Sequence, residues 1–221
     1  MILAIYGSGG LGREIYEIAV RCMSISSRYY SWDKIIFIND FDEEGLYFGI
    51  ERINFNTLIK NKDNCECIVA IGEPSSREKL YNKLKNENIK IITLIDPTAI
   101  ISPTSKIGEG SIICEYTTIH TGVEIGNNVL IQPFCDIGHD IKIGNHSVMS
   151  PHCAPGGNTI FGERVYAGMQ STIIEKLNIG NDVIIGMGSV VFKDIPDGAT
   201  AVGNPARITK GNEEHKVFNA Q

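Results

Sequence analysis

His139 and Asp140 stand side by side in Ile137-Gly138-His139-Asp140-Ile141-Lys142-Ile143-Gly144, an imidazole next to a carboxylate. An imidazole with its ordinary pKa of ~6.5 can take a proton from an amine or hydroxyl near neutral pH and pass it to a leaving group. A carboxylate on its other nitrogen fixes the tautomer and raises the basicity. The other histidines are weaker candidates: His120 occupies a column usually held by glycine, His146 and His152 fall one place later in their frames than His139, and His215 belongs to the tail. A zinc centre needs three such groups converging with an open fourth position, and His139, His146 and His152 lack that spacing, so no metal is expected.

A second chemistry is written at the start. Gly7-Ser8-Gly9-Gly10-Leu11-Gly12 matches GxGxxG, follows the apolar run Ile2 to Tyr6 and opens a helical pattern over Gly12 to Cys22. Backbone N–H groups at such a helix start favour phosphate oxygens. Gly9, Gly10 and Leu11 are therefore candidate ligand contacts. Asn39 and Asp40 end the next strand, Lys34 to Ile38, where acidic or amide groups meet a ribose or base, and Gly72 ends a third strand, Cys67 to Ile71. Ser75 is expected to cap a helix reaching Asn86, with Glu78 as the matching capping-box acid, and is also a candidate substrate contact; Ile89 to Leu94 reads as a fourth strand. About four strands are too few for two complete dinucleotide-binding halves, so a single nucleotide such as a nucleotide-sugar fits better than a nicotinamide cofactor. Asp42 to Asn64 reads ambiguously.

The elements that position these groups have two different periods. The first ~95 residues alternate strand and helix patterns, as an α/β layer with a parallel sheet does. From Ile101 the chain falls into six-residue frames without insertion as far as Val191. Their first column is Ile101, Ile107, Ile113, Ile119, Ile125, Ile131, Ile137, Ile143, Met149 and on to Ile185 and Val191, almost wholly aliphatic. Four places on comes a column of small or β-branched residues such as Ser111, Thr117, Val123, Val129 and Cys135, and glycine often follows the aliphatic, as at Gly108, Gly126, Gly144 and Gly162. One hexad makes a short strand and a corner, three close a triangular coil, and the glycines are expected to supply the strained corner backbone. His139, third in its frame, then lies on a corner facing out of the prism.

This pattern resembles the hexapeptide-repeat acyltransferases, and the expected fold is a Rossmann-like α/β domain over 1–96 followed by a left-handed parallel β-helix over 97–221. With Tyr6-Gly7-Ser8-Gly9-Gly10, Phe37-Ile38-Asn39-Asp40-Phe41, Ala70-Ile71-Gly72 with Arg77, and Asp96-Pro97-Thr98-Ala99-Ile100-Ile101-Ser102-Pro103, the chain resembles bacterial sugar O- and N-acetyltransferases. Among them it is most similar to those acting on UDP-linked 4-amino sugars and on sialic acids. The resemblance implies a homotrimer, acetyl-CoA as co-substrate and a nucleotide-sugar acceptor, with His139 as base supported by Asp140. It further implies that Gly157 supplies an oxyanion N–H, that Val148, Met169 and Met187 line the cofactor groove, and that Pro205 and Arg207 lie at its adenine end. Three positions depart from the family: Leu11 and Val148 where relatives carry His, and Asp140 where Glu is usual. O-acetylation of a sialic acid and a non-catalytic sugar-binding scaffold remain the alternatives.

A net charge of −6 and a pI near 5.4 give no basic face for nucleic acid or an anionic membrane. No apolar run reaches a membrane span, and the run after Met1 lacks the basic flank of a signal peptide, so a cytoplasmic location is expected. Six cysteines without a CxxC pair read as reduced core thiols.

Overall fold

The computed structural model describes residues 1–25, 30–212 and 216–217. Its N-terminal sheet is built on β1 (Ile2–Tyr6), which pairs in parallel with β2 (Lys34–Ile38) on one side and β5 (Cys65–Val69) on the other. Leu3, Ala4 and Ile5 are completely buried, as a central strand covered on both faces requires. Helix α1 (Gly10–Ile25) presents Ile15, Ile18, Ala19 and Cys22 to one face of the sheet. Helix α3 (Pro74–Asn86) packs Tyr81 and Leu84 on the other.

The ambiguous stretch is a hairpin, β3 (Gly45–Tyr47) against β4 (Ile50–Ile53), with β4 joining β2 in parallel, then the short α2 (Phe55–Ile59). With a last strand β6 (Lys90–Ile91), the sheet therefore has six strands in the order β3-β4-β2-β1-β5-β6, more than the four expected. A hairpin, not a helix, follows β2, so the second crossover of a dinucleotide fold is still missing.

The run Ile89 to Leu94, read as one strand, divides between the two halves. β6 (Lys90–Ile91) closes the α/β sheet beside β5, whereas β7 (Leu94–Ile95) pairs with Ile112–Ile113 as the first rung of the β-helix. Two other boundaries also differ. The first helix begins two residues earlier, at Gly10, and α3 starts at Pro74 with Glu73 as cap, so Ser75 is inside the first turn. Proline at the first helical position fixes its backbone angle for the helix and explains the earlier start. Glu78, expected to close a capping box, instead reaches Arg164, 3.2 Å away.

From β7 onward the chain is a parallel β-helix of two-residue strands whose register partners lie one coil apart, as Ile113↔Ile131 and Ile125↔Ile143 do. Every aliphatic of the six-residue column is the second residue of such a strand, and these side chains fill the prism with Val123, Val129, Cys135, Ile141, Cys153 and Val165 between them. Each buried isoleucine contributes roughly 1.5–3 kcal/mol, which is how a structure with such short strands holds. The first face carries β7, Ile112–Ile113, Leu130–Ile131, Val148–Met149, Tyr166–Ala167 and Ile184–Ile185. Its outward residues Leu94, Ile112, Leu130 and Val148 merge with the core around α1, welding the prism to the α/β domain.

The corner glycines have a different reason from the one expected. Left-handed backbone falls two places after them, on Tyr116, Asn128, Phe134, Asp140, His146, His152 and their successors, with φ between 54° and 63° for these. The glycines directly after the aliphatics make room for the next coil: a Cβ on Gly144 would lie 2.4 Å from the Gly162 carbonyl oxygen. Pro155, with no N–H to give, sits where the second face divides into two three-stranded ladders.

Candidate active site

Three corners run the length of the prism, and the functional residues divide among them. The corner between the second and third faces holds His120, Gly122, His139, Asp140 and Gly157. There His139 Nδ1 and Asp140 Oδ2 are 2.8 Å apart, so the short aspartate reaches the imidazole. The ring is about half exposed, at 53% for the side chain, and its Nε2 has no hydrogen-bond partner among the described residues. One coil on, a Cβ on Gly157 would be 2.6 Å from Nε2 and 2.7 Å from Cε1, so the ring lies directly against that glycine. The structure brings His139, Asp140 and Gly157 together at one corner.

The corner between the first and second faces is bounded by the α/β domain. A cleft of about 530 Å³ runs between them, lined by Leu11, Glu14 and Gly72 on one side and Glu115, Gln132 and Met169 on the other. Tyr166 and Pro151 complete its wall. The Glu14 carboxyl is raised by desolvation and by the neighbouring Glu115 and Glu17 carboxylates. Glu115 accepts from Arg21, whose guanidinium also lies 2.7 Å from buried Asp96 and ties α1 to this corner. Composition and spacing gave no sign of Glu14, Glu115, Gln132 or Tyr166; their shared wall exists only once the two domains dock.

The glycine loop is open at Gly9 and Gly10, where a Cβ would meet nothing within 4 Å. Gly12 is demanded by packing, because its Cβ would lie 2.1 Å from the Gly7 carbonyl oxygen. Asn39 and Asp40, expected at a ribose or base, make hydrogen bonds within the protein. Asn39 donates to Ser8 Oγ at 2.7 Å and to Asp42 at 2.9 Å, and its oxygen takes the Phe41 N–H at 2.9 Å. Asp40 receives the Tyr6 hydroxyl at 2.5 Å, Lys83 at 2.7 Å and the Phe55 N–H at 2.9 Å. Burial alone would raise its pKa, but these three donors hold it below the ordinary aspartate value. Ser75 is half-buried in the first turn of α3, outside the cleft lining.

Of the expected cofactor positions, Met169 and Met187 are exposed, at 45% and 72%, one coil apart on the first corner. Pro205, after a cis Asn204–Pro205 bond, and Arg207 lie exposed at the far end, where Arg207 shares a cleft with Lys193. Val148 is completely buried between the first face and α1, which leaves only its backbone for the cofactor contact expected there.

The third corner meets α3. His146 is buried there, its Nδ1 2.9 Å from Asn128 Nδ2, its ring edge-on to Tyr81. Asn128 can only donate through that nitrogen, so His146 is neutral with its proton on Nε2. Burial lowers its pKa, opposed by Glu78 and Glu163. His152 stacks on Phe134 at the first corner and His120 contacts Asp136 at the second. His139, His146 and His152 thus lie at three different corners, and no group of three or more potential metal-binding side chains occurs among the described residues. His215 lies outside the described residues. Among the described residues no helix is long and apolar enough to cross a membrane. All six cysteines are free and buried; burial pushes the Cys153 thiol up to about 11.

Comparison with known proteins follows this division. Residues 2–84 match the PglD N-terminal domain family, and residues 122–154 match the bacterial transferase hexapeptide (six repeats) family. The chain is 28% identical over 217 residues to a GDP-perosamine N-acetyltransferase of Escherichia coli, covering 95% of this chain and 96% of that one. The acetyltransferase domain of PglB from Neisseria gonorrhoeae, in complex with acetyl coenzyme A, superimposes with a TM-score of 0.86 at 27% identity over 94% of this chain and 98% of that one. The chain spans 34% of the length of a putative acetyltransferase of Bacillus subtilis, 40% identical over 58 residues and 26% of this chain.

Proposed function

We propose that this chain, a homologue of the sugar N-acetyltransferases of nucleotide-sugar pathways, moves the acetyl group of acetyl-CoA to the amine of a nucleotide-linked amino sugar. The α/β domain holds the nucleotide-sugar, and the coil that begins at β7, read as left-handed, carries the chemistry. The molecule works as a cytoplasmic homotrimer in surface polysaccharide synthesis, on a UDP- or GDP-linked 4-amino sugar. The observation that carries the reading is the His139–Asp140 contact, with Nε2 free against Gly157.

His139 Nε2 takes a proton from the attacking amine as its nitrogen bonds to the thioester carbon. Asp140 Oδ2 holds the Nδ1 proton and steadies the positive ring. The Gly157 N–H, which makes no hydrogen bond among the described residues, faces the carbonyl oxygen as negative charge gathers there. The carbon–sulfur bond then breaks, and His139 returns its proton to the departing thiolate, which leaves as CoA. Met169 and Met187 give the pantetheine arm an apolar row along the prism, and Arg207 gives the phosphates a cation at its end. A metal has no part in these steps.

The test is thiol release from acetyl-CoA with UDP-4-amino sugars, GDP-perosamine and sialic acids, comparing the native protein with His139→Ala. Turnover of an amino sugar that collapses in the variant is the expected result. Turnover only with sialic acid would make the protein an O-acetyltransferase, and no turnover by folded protein would leave a non-catalytic scaffold.

A further inference from the structure

We infer that Gly122 is a positioning residue for the catalytic pair: by carrying no side chain it leaves the space in which the Asp140 carboxylate lies while holding His139. The inference rests on the base role proposed for His139. Gly122 is the neighbour of Asp140 one coil earlier, and the Asp140 N–H is pinned to the adjacent Thr121 carbonyl at 2.9 Å. A Cβ on Gly122 would stand 2.4 Å from Asp140 Oδ1 and 3.4 Å from its Cγ. That oxygen belongs to the same rigid carboxylate whose Oδ2 meets His139 Nδ1 at 2.8 Å.

Backbone conformation does not account for the glycine. Gly122 has φ +70°, but this prism carries side chains in the left-handed region at Asn128, Phe134, Asp140, His146, Asn158 and Lys176. What distinguishes position 122 is the carboxylate above it. A methyl group there must turn the Asp140 side chain or push it outward, and either movement takes Oδ2 away from Nδ1. Held between Gly122 on one coil and Gly157 on the other, the pair is set by the space that two missing side chains leave.

The first readout is the tautomer of His139, read by 15N NMR of histidine-labelled protein at alkaline pH, which needs no turnover. Native protein should carry the proton on Nδ1, and both Gly122→Ala and Asp140→Ala should shift it toward Nε2. With acetyl-CoA and GDP-perosamine, Gly122→Ala should lower kcat about tenfold to a hundredfold with KM little changed. It should cause no further loss in an Asp140→Ala background, and Asp140→Glu, with its longer arm, should recover part of the loss. Gly198→Ala controls for strain alone, since Gly198 has φ +65° and nothing within 4 Å of a Cβ. If Gly122→Ala does not fold, Gly122→Asn replaces it, asparagine being borne in this conformation at Asn128. A native-like tautomer in the Gly122 variant, or an equal further loss in the Asp140→Ala background, overturns the inference while leaving the base role intact. An Asp140→Ala protein with native tautomer and native kcat overturns the pair itself.

Discussion

At the scale of single residues, the proposed chemistry depends on one imidazole whose two nitrogens would have different tasks. Because Nδ1 is held by Asp140 and Nε2 is free, removing the ring removes the proton acceptor without disturbing a buried contact. His139→Ala should therefore lower kcat by roughly 10²–10⁴-fold, the usual worth of a general base, while the melting temperature stays within a degree or two. Steady-state thiol release and calorimetry on the same preparation check both halves. A different residue-scale case is Arg77, completely buried and without a carboxylate among its hydrogen-bond partners in the described residues. It donates to the carbonyls of Val69 and Ile71 and to both the carbonyl and side-chain oxygen of Asn128. Burial lowers its pKa, and the four hydrogen bonds are what make a buried guanidinium tolerable there. Arg77→Met would strand several acceptors, each costing about 1–3 kcal/mol, so denaturant unfolding should show a large loss of stability.

At the scale of elements, helix α3 and the third corner of the prism form a joint that should respond to pH. His146 is neutral in the folded protein and its Nδ1 accepts from Asn128, whose own oxygen is taken by Arg77. Protonation would turn that acceptor into a donor facing a donor, with Arg77 and Arg164 opposing the charge and only Glu78 and Glu163 favouring it. A histidine whose folded pKa is depressed contributes nothing to the pH dependence above its unfolded value of ~6.5, and stability falls as pH drops below that. Melting temperature measured across this range should decline in native protein, and the decline should be shallower in His146→Gln. A steeper or unchanged slope in the variant would remove His146 from the joint.

The six-residue column made the coil legible because every inward aliphatic must recur at the same corner-to-corner distance, whatever lies outside. The glycine loop was legible for a similar reason, since Gly12 answers to a contact only a few residues away, with Gly7. What lies outside the prism was not legible. Ile89 to Leu94 is one continuous apolar run, and nothing in it marks that β6 serves one sheet and β7 another. Val148 reads as one more outward β-branched residue until α1 covers it. The same docking decides which corner is buried against α3, which borders the cleft and which stays open to solvent around His139.

At the scale of the whole molecule, that last division constrains how an active site can exist. His139 is on the corner between the second and third faces, whereas Leu11, Gly72 and Gln132 border the cleft on the corner between the first and second. A rigid prism cannot bring two of its own corners together, so an acceptor in the cleft meets the base only if it is the base of another copy. Three copies related by a threefold axis, as proposed, would set the second corner of each beside the first corner of the next and close the ring with identical contacts. Sedimentation should therefore give a trimer. The sharper test uses two inactive proteins: His139→Ala, which lacks the base, and Gly72→Trp, which fills the cleft. In a trimer refolded from equal amounts, a site is whole only when its base and its cleft both come from unmutated corners of neighbouring chains. About a quarter of the sites should then be whole, and activity should return to about that fraction of native. A site contained within one chain would give no recovery at any mixing ratio, because every chain in the mixture carries one of the two defects.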